Sequence, residues 1–209
     1  MSATNRIRWD GPAAILAGLL YVAGLPGSNE LLPGVSHVAG HILFAGAGLF
    51  SLVALQGFAA RDTVCTVRLG LTGLWVAGIS ALLILGGNSA EAIWEHQFEL
   101  ASTATMLGML GAIVGVALIG IAARRTRALP GWSAFTLIIA PVIYFLLFVG
   151  GMAVFMSGDN PPPTAVGNAP LTALLYVLAV LSAVPWLALG YALWSGAGEA
   201  QAVRQPQGL

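Results

Sequence analysis

Charge is what this chain has least of. Of its 209 residues only 8% are charged, 58% are hydrophobic, and the mean hydropathy is +0.88. A soluble domain carries about 25% charged residues, so a water-facing surface over the whole molecule is excluded. Lysine is absent altogether, which rules out a retinal or pyridoxal Schiff base. The single cysteine, Cys65, excludes an internal disulfide and a cysteine-rich metal site. The formal net charge is zero, which argues against a nucleic-acid partner.

What the chain does have is long apolar runs. Crossing ~30 Å of hydrocarbon takes ~20 apolar residues in a helix, whereas a barrel would show alternating ~10-residue segments. Six runs qualify, at about 9–25, 35–60, 67–87, 93–123, 132–157 and 170–195. The expectation is an all-α polytopic bundle whose principal partner is the lipid bilayer. It forms a single transmembrane domain over 1–196, followed by a polar tail at 197–209 expected to be disordered. Trp9, Trp94, Trp132 and Trp194 fall near span ends and read as interfacial anchors. Pro141 and Pro185 fall inside spans five and six and are expected to kink them. The stretch "SGDNPPPTAVGN", 157–168, reads as a stiff connecting loop with polyproline II character.

The arginines predict an orientation. Arg6 and Arg8 precede span one, and Arg61 and Arg68 lie between spans two and three. Arg124, Arg125 and Arg127 lie between spans four and five, and Arg204 follows span six. All fall on one side, which the positive-inside rule makes cytoplasmic, with both termini inside. Glu30, Glu91, Glu95, Glu99 and Asp159 fall on the other side. Arg6 and Arg8 before an apolar run and "PGS" also fit a signal peptide. The run opens on Gly11-Pro12 and offers no small-x-small cleavage site near Leu25, so a retained span is expected.

Short words recur. Span two ends "GFAARD" and span four "GIAARR", while Gly86-Gly87 and Gly150-Gly151 close spans three and five. They suggest a helical-hairpin unit repeated in parallel, although such words also recur by chance in apolar chains. Gly46 and Gly48 crowd span two, and Gly108, Gly111 and Gly115 line span four. Small faces let helices approach closely, so spans two and four are expected to pack against each other. "GHILFAGAGLFSLVAL" in span two and "RALPGWSAFTLII" entering span five resemble a broad group of small six-helix bacterial membrane proteins without an assigned activity. The resemblance implies the architecture and brings no catalytic residue with it.

Polar residues concentrate in two places. "SHVAGH" sets His37 and His41 four residues apart at the start of span two. In "GNSAEAIWEHQFELA", Asn88 and Glu91 have capping-box spacing, which predicts that helix four begins near Ser89. From there Glu91, Glu95 and Glu99 form an acidic stripe with His96 close to the same face. His37 precedes Arg61 by 24 residues and Glu99 precedes Arg124 by 25, so both stand roughly 36 Å from the arginine level. Imidazole with carboxylate suits a transition metal. The candidate metal ligands are therefore His37, His41, His96, Glu99 and Glu95. His41 and His96 are also the candidate axial pair for a b-type haem. "HVAGH" lacks the glutamate of HExxH, so a zinc-protease reading is poor. The same histidines and acids would equally suit a hydrated membrane interface.

Three functional classes follow. The leading expectation is a non-enzymatic accessory or sensor protein, serving a membrane partner. The second is a metal- or haem-binding redox or hydrolytic protein with its site at the extracytoplasmic face. The third, a small transporter, is weakened because the span middles offer only Gln56, Ser80, Tyr144 and small hydroxyls.

Overall fold

The computed structural model describes residues 9–60, 67–94, 99–156 and 169–202. These residues are helical apart from short connections, as lipid demands of a backbone that must bond to itself. The helices are α1 (Asp10–Ser28), α2 (His37–Ala59), α3 (Arg68–Trp94), α4 (Glu99–Thr126), α5 (Gly131–Met156) and α6 (Ala169–Ala202). Each of the six is long and apolar enough to cross a membrane. Trp9, Trp94, Trp132 and Trp194 are all exposed. The 157–168 loop lies outside the described residues. α6 runs through Pro185 to Ala202, and residues 203–209 lie outside the described residues.

Neighbours in sequence are neighbours in space: α1 packs on α2, α2 on α3, α3 on α4, α4 on α5 and α5 on α6. α6 then returns to α1 and closes a ring. Contacts run antiparallel. Gly24 meets Phe44 and Gly27 meets Gly40 at one end of the α1–α2 pair, while Asp10 meets Gly57 at the other. The α1–α2, α3–α4 and α5–α6 connections therefore share one end, the histidine end. Arg68, Arg124 and Arg125 mark the opposite, arginine end.

The expected α2–α4 seam is not there, because α3 stands between the two helices. Gly48 of α2 and Gly108, Gly111 and Gly115 of α4 all turn to α3, whereas Gly46 of α2 turns to Leu20 of α1. A Cβ on Gly48 of α2 would lie 2.8 Å from the Ala81 carbonyl oxygen, and one on Gly115 of α4 would lie 2.5 Å from the Ala77 nitrogen. Gly108 and Gly111 abut Ser80 on the same helix. With Gly73, Ala77, Ser80, Ala81 and Gly87 buried along it, α3 is small on two sides and takes both partners. The recurring words also meet different surroundings, since Gly57 faces α1 whereas Gly120 faces Leu137 and Ile138 of α5.

Helix four does not begin at Ser89. α3 continues to Trp94 and α4 opens at Glu99. Asn88 and Glu91 are buried inside α3 rather than capping a helix start. The Asn88 amide is engaged across the bundle, which explains why the capping pattern misleads.

Candidate functional site

The histidines are placed from the backbone upward. Ser36 caps α2, its hydroxyl oxygen accepting from the Ala39 N–H at 3.2 Å, a standard service of serine at a helix start. His37 is thus the first helical residue and His41 lies one turn further in. Their rings meet edge to face with centroids 4.4 Å apart. Between them Gly40 presses its backbone onto Gly27 of α1, where a Cβ would overlap the Gly27 carbonyl carbon. The pair is therefore fixed against α1 as well as along α2.

One amide then joins three helices. The Asn88 side chain is fully buried on α3 and donates from Nδ2 to the Ile84 carbonyl at 2.9 Å and to Thr105 Oγ1 of α4 at 3.2 Å. Its Oδ1 lies 2.8 Å from His41 Nδ1. A backbone carbonyl can only accept, so the amide nitrogen must face Ile84 and the amide oxygen must face His41. His41 Nδ1 is then the N–H donor, and in the neutral ring the lone pair sits on Nε2. The network assigns that tautomer.

These side chains border a cleft of about 370 Å³. Its lining is graded by depth. Near the histidine end stand Ser28 and Asn29 of α1, His37 and His41 of α2, Asn88 and Glu91 of α3, and Ser102 and Thr105 of α4. Deeper in come Leu25, Phe44, Met106, Met109, Leu110, Tyr144 and Phe148. Tyr144 and Phe148 stack at 6.2 Å, and the Tyr144 hydroxyl points at Met109 Sδ, 3.8 Å away. Below lies a second, apolar space of about 40 Å³ that shares Met109 and Tyr144 and is bordered by Pro141 and Pro185.

Of the candidate ligands, His37 and His41 come together in this cleft. Glu99 is exposed at the first residue of α4 and is not among the side chains that line it. Glu95 and His96 lie outside the described residues. Among the described residues no group of three or more His, Cys, Asp or Glu side chains is arranged to hold a metal ion. Sequence reasoning missed Asn88, Glu91 and Thr105 as site residues. The signal was present, since "GNSAE" is a polar island with apolar runs on both sides, but its spacing matched a helix cap. No protein-family model, curated protein or solved structure matches this chain.

Proposed function

We propose that this is a non-enzymatic multi-pass membrane protein that binds a small ligand in the histidine cleft, acting as a sensor or accessory subunit. The one-sided arginines support an orientation with both termini cytoplasmic and the cleft at the extracytoplasmic end. One observation carries the reading: the His41–Asn88–Thr105 hydrogen-bond chain, which ties three helices together along the wall of a cleft of about 370 Å³. Ligand sites typically occupy 300–1,000 Å³ and combine apolar walls with a few fixed polar groups. An amide oxygen orients the imidazole but places no negative charge behind it, unlike the carboxylate of a catalytic triad.

Ligand binding stabilises a folded protein by mass action, so the test is a thermal-shift screen of the purified protein. A small molecule or ion that raises the Tm of the wild type should have a much weaker effect on His41→Ala. A wild-type Tm that no compound moves would sink the reading. For the orientation, reporter fusions after Arg127 and after Asn160 should report opposite sides of the membrane.

The fixed tautomer of His41 favours a second reading, a transition metal bound through His41 Nε2 beside His37. Metal-bound histidines usually donate their other N–H to an oxygen. Elemental analysis with a visible spectrum decides it: stoichiometric zinc or copper supports the metal, and a Soret band supports haem with His96 as the second ligand.

A further inference from the structure

Tyr144 holds a hydroxyl that the bundle serves poorly. The residue is only 4% exposed in the middle of α5, and its O–H points at Met109 Sδ, 3.8 Å away. A thioether is a weak acceptor, and a buried donor without a good acceptor is costly. The Tyr144 side chain borders both the cleft and the smaller apolar space below it.

A second donor stands nearer the mouth. Thr105 Oγ1 lies beside Gly87 of α3, where a Cβ would overlap it, and accepts from Asn88 Nδ2. Among the described residues the Thr105 proton itself meets no acceptor, so it is left to the cleft that Thr105 lines. Thr105 and Met109 are four residues apart on α4, which offsets the two hydroxyls by about 6 Å, one helical turn. Around them the wall is apolar and partly aromatic, with Phe44, Met106, Leu110 and Phe148.

Charge narrows the choice. No arginine lines the cleft among the described residues, and the chain has no lysine. Glu91, His37 and His41 have interactions of their own within the protein. An organic ion of either sign would enter without a counter-charge, which burial penalises. The site suits a neutral molecule.

From these observations, and resting on the ligand-binding reading above, we infer that the cleft takes a para-quinone. Its two carbonyl oxygens, about 5 Å apart by ordinary bond lengths, accept from the Thr105 and Tyr144 hydroxyls. Its flat ring lies against Phe44, Met106 and Phe148, and the cleft of about 370 Å³ has room for the ring with its substituents. The Tyr144 hydroxyl then exchanges a sulfur contact for a stronger bond to oxygen.

The test uses the purified full-length protein in a maltoside detergent, titrated with three probes while the Tm is followed. Tetramethyl-para-benzoquinone carries both oxygens. Tetramethylbenzene keeps the ring and its methyl groups without them, and methyl decanoate offers a single carbonyl. The quinone should bind saturably, and about tenfold or more tightly than either of the others. Tyr144→Phe gives up only the sulfur contact, so it should fold and should bind the quinone about tenfold more weakly. Thr105→Val should cause a similar loss, and Thr105→Ser, which keeps a hydroxyl, should retain binding. If Thr105→Val does not fold, Tyr144→Phe decides the matter alone. Tetramethylbenzene or methyl decanoate binding as tightly as the quinone would overturn the paired-carbonyl ligand while leaving the ligand site in place. So would an unaltered quinone affinity in Tyr144→Phe or in a folded Thr105→Val protein. If the quinone does not bind while another small molecule raises the Tm, the inference fails and the ligand-binding reading survives. A wild-type protein that no compound stabilises ends both.

Discussion

α1 and α5 are opposites. α1 has the lowest mean hydropathy of the six spans, yet 56% of its most apolar stretch is buried inside the protein. α5 is far more apolar, yet only 28% of its stretch is buried. α1 buries Gly11, Ala13, Ala14, Ala17, Gly18, Gly24 and Gly27, whereas α5 exposes Phe135, Ile143, Phe145, Leu146 and Val149. In a bilayer, large apolar side chains gain little from leaving lipid for protein. Small residues let backbones touch, and packing becomes the main attraction. Hydropathy therefore marks the faces left to lipid, and glycine and alanine mark the faces that hold the bundle. Tyr21 adds one large anchor to α1, meeting Phe44 edge-on and stacking on Trp186 of α6.

The comparison breaks most visibly at the α1–α2 crossing. Gly40→Val forces a branched side chain into the Gly27 backbone and should cost about 3 kcal/mol, as overpacking does. The same substitution at Gly86, where a Cβ meets nothing within 4 Å, should stay within about 1 kcal/mol. Equal losses in thermal denaturation would show that helix propensity, not close approach, is being measured.

Asn88→Leu comes next. It keeps roughly the same volume and removes the bonds to His41 and Thr105, so about 1–2 kcal/mol should be lost, the upper range for hydrogen bonds between membrane helices. The nitrogen chemical shifts of His41 should also leave the Nδ1–H tautomer. Unchanged shifts would mean that another group sets the ring.

At the end of α1 the expected effect is smaller and favourable. Glu30 follows the helix with φ of +57°, in the left-handed region where a side chain is strained, while the Glu30 and Leu31 N–H groups bond back to Gly27 and Pro26. Glu30→Gly should raise stability by about 0.5 kcal/mol, visible as a small rise in Tm. The smallest effect belongs to α5. Leu146 is 63% exposed, and Leu146→Ala should change stability by less than about 0.5 kcal/mol. A loss of about 2 kcal/mol or more would reveal a protein partner on that face and undo the contrast.

How much of this was legible follows the same physics. Six helices were legible because a run of apolar residues long enough to cross lipid has few other uses. The small faces of α2 and α4 were legible from Gly48, Gly108, Gly111 and Gly115. Their partner was not, since a small face says that a backbone comes close and not which one. The α3–α4 boundary misled because Asn and Glu three apart serve equally to cap a helix and to join helices through buried bonds. Only the position of Thr105 and His41 on neighbouring helices separates the two uses. His37 and His41 stood out as a pair. Glu91 was recognised as a charged residue at this end but not as part of the cleft wall.

The ring has one more consequence. Chain order and spatial order coincide around it, and α6 returns to α1 so closely that Gly11 touches Gly190 and Trp194. Topologically the molecule is a closed cycle with one link left out, and which link is missing matters little to the packing. Joining α6 to α1 and opening the chain between α2 and α3, or between α4 and α5, would give circular permutants with every helix beside its present neighbours. Because the helices are even in number, the new termini would again lie at the arginine end, and the cleft at the opposite end would not register where the chain begins.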